Sequence, residues 1–254
     1  MTAPAHDDID ALASALLGSE QVVMLTGQRL DPEGLSELAQ SQSEWAKRAD
    51  LDALLTTPTD FWSYFLPASQ AAAQRTPTPS HLAITRLQQA GTVSSIITQG
   101  VDGLHERAGA HNVVEIYGNV LSLRCERCGE RYGLDEAATF IAASVDGVPR
   151  CTTPECGYPL RPHGTLWNEQ LSQEAVERAW DLAASTDLLV VVDSDLRTAP
   201  VSFLPSVPLT RGVGLILIGA TPTRYDRYAD LTVRVPASAA TLTAVADLIS
   251  PRTA

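Results

Sequence analysis

The sequence predicts an α/β protein: a parallel sheet covered by helices on both faces, with a small metal-held insert. Three observations predict it. Apolar runs at residues 22–25, 188–192 and 215–218 read as strands buried on both faces. Helical stretches alternate with these runs, as a doubly covered parallel sheet requires. The four cysteines, Cys125, Cys128, Cys151 and Cys156, come as two close pairs around a largely polar stretch that carries Gly129, Gly133 and Gly147.

The elements follow in order. Ile9, Leu12, Ala13, Leu16 and Leu17 fall at helical spacing behind Asp7 and Asp8, and Gly18 suits the helix end. The strand at 22–25 runs into Thr26-Gly27-Gln28-Arg29-Leu30-Asp31. A strand leading into a glycine turn is where a Rossmann-type fold binds a dinucleotide. Alone, this turn is a weak motif and reads as an ordinary strand-to-loop turn. Residues 32–53 have no clean period, and 61–65 are an aromatic helical patch that suits a packing face. His81, Ile84 and Leu87 run down a helix ending near Gly91, with His81 in a structural role. Strands are predicted at 94–98 and 231–235, and helices at 171–185 and 242–249.

Length and charge narrow the function classes. A chain of 254 residues suits one large domain, or one domain with an insert. The net charge of −12 disfavours a nucleic-acid groove, which needs a basic face. Arg124, Arg127 and Arg131 form a local basic cluster, but Glu126 and Glu130 alternate with them. No stretch of apolar residues is long enough to span a membrane, and the acidic start lacks the features of a secretory signal. Paired cysteines suit a metal site in a reducing cytoplasm better than disulfides.

Cys125-x-x-Cys128 and the Cys151/Cys156 pair can form two knuckles around a tetrahedral zinc. Four thiolates fill the tetrahedron, so such a site is structural rather than catalytic. The alternative is a redox Cys-x-x-Cys beside two unrelated cysteines. An insert this small cannot bury enough apolar surface alone, so a metal would hold it together.

The stretch from Thr98 to Cys128 resembles the sirtuins, NAD-dependent protein deacylases. Their pattern reads Thr-Gln-Asn-x-Asp-x-Leu-His-x-x-Ala-Gly, then a catalytic His-Gly, then Cys-x-x-Cys. Thr98, Gln99, Asp102, Leu104, His105, Ala108 and Gly109 match. Gly100 stands at the family's asparagine and Tyr117 at its catalytic histidine. The resemblance covers about residues 10–250 and implies a Rossmann-like large domain, 1–118 and 164–254, split by a zinc-ribbon domain at 119–163.

Other departures fall on positions that the resemblance assigns to the cofactor. Thr26 and Gly27 keep the phosphate turn, but Arg29 replaces a glycine and Asp31 a serine. The cofactor loop, nearest at 34–39, lacks the family's Pro, Phe and Arg. Asp193-Ser194-Asp195-Leu196 stands for Gly-Thr-Ser-Leu, and Gly219 for an asparagine. Gly164-Thr165 replaces two valines of the strand that pairs with the acyl-lysine peptide. A tyrosine titrates near 10 and is a poor base at neutral pH, where a histidine near 6.5 is well suited. Asp31, Asp193 and Asp195 would repel a diphosphate, unless they cap helices or face solvent. The expectation is a catalytically inactive sirtuin with weak or no NAD binding. It would act by binding another protein, with another sirtuin-like chain as one candidate partner. The alternative is an active deacylase, or an enzyme that consumes NAD by hydrolysis or ADP-ribosyl transfer, for which Gln99 and Asp102 remain.

Overall fold

The computed structural model describes residues 5–30 and 48–250. Six parallel strands form the main sheet: β1 (Val22–Thr26), β2 (Ser95–Thr98), β3 (Val113–Glu115), β7 (Leu188–Val192), β8 (Gly214–Ile218) and β9 (Leu231–Val233). Their spatial order is β3-β2-β1-β7-β8-β9. The chain winds outward from β1 to one edge, crosses back, and winds outward from β7 to the other. This is the doubly wound order, with its topological switch point between β1 and β7. β1 pairs with β7 from Val22↔Leu188 to Thr26↔Val192.

Alternation along the strands supplies two cores. Val22, Met24, Ile96, Val190 and Ile216 face helices α1 (His6–Leu17), α4 (Pro79–Gln89) and α9 (Ala239–Ile249). Val23, Leu25, Ile97, Leu189 and Leu215 face the opposite layer, where Ala179 and Ala183 of α7 (Gln173–Ser185) pack. Because side chains alternate with period 2, a strand buried on both faces reads as an unbroken apolar run.

The cysteine-bearing insert is a three-stranded antiparallel sheet in the order β5-β4-β6, built from β4 (Ser122–Cys125), β5 (Arg131–Gly133) and β6 (Leu160–Pro162). Helix α6 (Leu134–Ala143) covers it. The sequence reading had no helix there. Its signal is Leu134, Ala137, Phe140 and Ile141 at helical spacing, with Glu136 accepting from Gly133 N–H at 2.7 Å. The short helix α2 (Leu51–Thr56) leads into α3 (Pro58–Ala73), whose aromatic patch does not pack on the main sheet. Phe61, Trp62 and Phe65 share a third core with Leu123, Tyr132 and Leu160 of the insert. The small lobe therefore draws on two separate chain segments.

The main chain crosses between lobes at two glycines. Gly118 has φ 65°, and a Cβ there would lie 2.8 Å from the His163 carbonyl oxygen. A Cβ on Gly164 would lie 2.9 Å from the Asn119 carbonyl oxygen. The outgoing and returning strands thus touch backbone to backbone, and Thr165 N–H donates to the Tyr117 carbonyl at 2.7 Å.

Candidate functional site

The carboxyl ends of β1 and β7 meet at the switch point, where open α/β sheets bind ligands. A Cβ on Gly27 would lie 2.1 Å from the Asp193 carbonyl oxygen, so only glycine fits. Buried Thr26 Oγ1 lies 3.0 Å from His105 Nε2. His105 stands edge-on to His81, and burial, then the neighbouring His81, holds it well below the usual imidazole range. His81 caps its own helix, its Nδ1 accepting from Thr78 N–H at 3.2 Å. Both histidines are structural. Asp31 and residues 34–39 lie outside the described residues, as does the Arg29 side chain.

Next to this turn, Gln99 is buried and ties two side chains together. Its Oε1 accepts from Ser194 Oγ at 2.6 Å, and its side chain is hydrogen-bonded to Tyr117. Burial, opposed by that bond and reinforced by Asp195, pushes the Tyr117 hydroxyl above its ordinary 10. Near neutral pH the phenol is therefore protonated and serves as a hydrogen-bonding group. Asp102 Oδ1 accepts from Leu104 N–H at 3.0 Å and so starts the one-turn helix α5 (Leu104–Arg107). A Cβ on Gly100 would stand 3.5 Å from that same oxygen. The structure brings Tyr117, Gln99 and Ser194 into one hydrogen-bonded set, with Asp195 close enough to act on Tyr117.

Two positions that depart from the family pattern, Asp193 and Gly219, lie against each other. Asp193 adopts φ 50°, a left-handed conformation that aspartate reaches more readily than most residues. Its Oδ2 accepts from Ser238 Oγ at 2.5 Å, and Ser238 in turn lies 3.2 Å from Ser80 Oγ. Its Oδ1 would sit only 3.0 Å from a Cβ on Gly219. Glycine at 219 therefore leaves the room that the Asp193 carboxylate fills, between the ends of β7 and β8. Asp195 is more open, and its Oδ1 accepts from Arg197 N–H at 3.1 Å.

Two cavities flank the returning strand. One, of about 250 Å³, is mainly apolar and reaches from Tyr117 and Val120 to Leu166, Trp167 and Thr198. The other, of about 400 Å³, is charged and lies between the insert and α7.

In the insert, the four sulfurs converge within 4.8 Å of one another. Cys125 and Cys156 are 3.6 Å apart, and Cys128 and Cys151 3.5 Å. A disulfide needs about 2.05 Å. Zinc–sulfur bonds of about 2.3 Å in a tetrahedron set sulfurs about 3.8 Å apart, so the donor set fits zinc. These four cysteines form a structural zinc site, which removes the redox alternative. Cys151 is held from outside by Tyr132 Oη at 3.1 Å.

The pattern of the Sir2 family matches residues 29–200. The chain is 33% identical over 233 residues to an NAD-dependent protein deacetylase of Caldivirga maquilingensis, covering 90% of this chain and 89% of the relative. The chain belongs to the Sir2 family. An NAD-dependent protein deacetylase of Geobacillus kaustophilus is 32% identical, covering 87% of this chain and 90% of the relative. Among solved sirtuin structures, Sir2 with a p53 peptide and NAD+ shares 25% identity at a TM-score of 0.78, covering 95% of this chain and 96% of that one. A histidine-to-tyrosine mutant of Sir2 with a p53 peptide and NAD shares 26% at 0.77, over the same shares.

His105 is bound to Thr26, His111 is exposed, and His163 lines the charged cavity. Sequence reasoning missed the partnership of Asp193 with Gly219 and Ser238. The three are far apart in the chain, and only the ordering of β7, β8 and α9 joins them.

Proposed function

We propose that this Sir2-family protein binds a protein segment in its cleft and does not deacylate it. The observation that carries the reading is Tyr117. It lines the apolar cavity, it is bonded to Gln99, and burial pushes its hydroxyl above the usual phenol range. Deacylation by the family's route needs a proton acceptor near neutral pH at that position. The Asp193 carboxylate adds a second obstacle. A negative charge about 4 Å from a phosphate costs about 1 kcal/mol in water and about 4 at the effective dielectric of a cleft. The apolar cavity, in contrast, remains open for a side chain of a protein partner, and another sirtuin-like chain is one candidate.

A rival reading keeps NAD. The solved Sir2 mutant with tyrosine in place of a histidine is described with both peptide and NAD, and the curated relatives are deacetylases and deacylases. On that reading the protein is an active NAD-dependent deacylase, or consumes NAD with altered chemistry by hydrolysis or ADP-ribosyl transfer. Calorimetric titration with an acetyl-lysine peptide, NAD and ADP-ribose, run beside a nicotinamide-release assay, separates the two. The binding reading expects heat from the peptide alone and no nicotinamide release above a boiled control. Sustained NAD-dependent release would overturn it in favour of the rival.

A further inference from the structure

The charged cavity holds an arrangement that the fold does not explain. Arg124 on β4 stands directly opposite Arg131 on β5 and directly opposite Arg161 on β6. Like charges facing one another across strands are destabilising. Only one of the three is fully satisfied within the protein: Arg161 is clamped by both carboxylate oxygens of Glu169, each at 2.5 Å. Arg124 Nε reaches the half-exposed Glu126 at 2.6 Å. Among the described residues, the Arg131 side chain has no ion pair or hydrogen bond, although it acts electrostatically on Glu115. Across the cavity α7 contributes Arg178, which also has none. Four guanidiniums thus line one basin in a chain whose net charge is −12.

Four carboxyls line the same basin: Glu106, Glu115, Glu169 and Glu174. Glu169 is taken up by Arg161. Glu115 accepts from Asn119 Nδ2 at 2.7 Å, and burial pushes its carboxyl up to about 7, so it carries at most part of a charge at neutral pH. Exposed Glu106 and Glu174 are left against Arg131 and Arg178, with Arg124 already paired to Glu126. His163, on the same wall, is held below its usual range by burial and then by Arg131, Arg124 and Arg161. Glu174 acts in the opposite sense on the same imidazole.

We propose that this basin, between the zinc module and α7, binds a small multiply charged oxyanion, a phosphate or pyrophosphate group, through Arg124, Arg131 and Arg178. Guanidinium forks match such groups in geometry as well as charge. The volume of about 400 Å³ lies within the range of small-ligand sites. The basin is separated from the Tyr117 cleft by the returning strand, so the site stands whether or not the cleft binds protein.

The test is calorimetric titration of the zinc-loaded full chain with orthophosphate, pyrophosphate and sulfate at low and high salt. Expected is saturable one-to-one binding of pyrophosphate, tighter than orthophosphate and weaker at high salt. Arg131→Gln and Arg178→Gln should each weaken it about tenfold, the worth of one charge-assisted hydrogen bond. Arg227→Gln, in the connection before the opposite edge strand β9, should leave it unchanged. Circular dichroism checks that the variants fold, which these exposed positions favour. Binding that survives both arginine variants, that sulfate matches equally, or that is absent at millimolar pyrophosphate overturns the proposal.

Discussion

The zinc module and the switch-point crevice sit on either side of the same two-glycine crossing, yet they tolerate sequence change differently. The module needs four thiolates at one point, and all four are there, within 4.8 Å. Its surroundings are otherwise free to drift. The crevice needs empty space and backbone amides near a phosphate, and here the Asp193 carboxylate sits beside Gly219 at the ends of two strands. Asp193 fills the volume that Gly219 leaves, and neither disturbs the sheet beneath. A metal site is defined by what is present, whereas a cofactor crevice is defined by what is absent. The first survives as long as its ligands do. The second can be lost by adding one carboxylate while the fold remains whole.

The sharpest way to break this comparison is to remove a zinc ligand. Protein purified without added metal should carry one zinc per chain by elemental analysis. Cys128→Ser should release it and unfold the insert, since structural zinc supplies roughly 10 kcal/mol or more of folding free energy in small domains. Loss of the near-ultraviolet signal from the Tyr132–Phe140 contact reports the unfolding. A metal-free chain with that signal intact would remove the premise that zinc holds the module.

The next effect concerns the arm that joins the module to the cleft. Arg161 and Glu169 form a nearly buried pair, with side chains 10% and 15% exposed. Arg161→Ala strands a carboxylate and should destabilise the protein by about 3–5 kcal/mol. Urea unfolding of the single and double variants gives the coupling. A double variant no more stable than Arg161→Ala would show that the stranded charge is not what matters.

The pH dependence of stability divides along the same line. Burial pushes Glu115 up to about 7 from 4.5, and burial holds His81 down to about 4 from 6.5. With a raised carboxyl, the folded chain keeps a proton that the unfolded chain releases. Its contribution therefore falls as pH rises from about 4.5 to about 7. With a depressed imidazole, the unfolded chain takes up a proton first, and stability falls as pH drops from about 6.5 to about 4. The windows overlap and the slopes oppose, each worth roughly 3 kcal/mol. Glu115→Gln should expose the histidine slope, so the variant loses more stability than the parent between pH 7 and pH 5. Parallel curves in urea would show that Glu115 does not hold its proton in the fold.

The smallest expected effects lie in the crevice. Tyr117→His alone should leave nicotinamide release at background, because a base acts only on a cofactor held in reach. Asp193→Gly with Gly219→Asn should raise NAD affinity by roughly tenfold or more, from the 1–4 kcal/mol of repulsion removed. Robust turnover from Tyr117→His by itself would show that the crevice is open, and the distinction between module and crevice would fail.

The strands and the zinc ligands were legible because their signals are local. An apolar run such as 188–192 reports burial on both faces, and Cys-x-x-Cys reports a knuckle. The side on which the Phe61–Phe65 patch packs was not legible, because an aromatic helix face suits either lobe. Helix α6 was missed inside a stretch read as polar, although its capping pattern was present. The row of Arg131, Arg124 and Arg161 was invisible for a different reason. Only the antiparallel register, not the spacing, sets these three side by side.

The pairing of Val22 with Leu188 has a consequence for how the chain assembles. β1 is central, but the strand that covers its second edge is synthesised only after the whole zinc module. During synthesis β3-β2-β1 would stand as a half-sheet with a bare, apolar edge, the kind of surface on which chains aggregate. A module already closed on its metal shortens the span that β7 must bridge to reach β1. Metal supply would then govern the yield of correctly folded protein through the order of events at the ribosome, far from any ligand the mature protein binds.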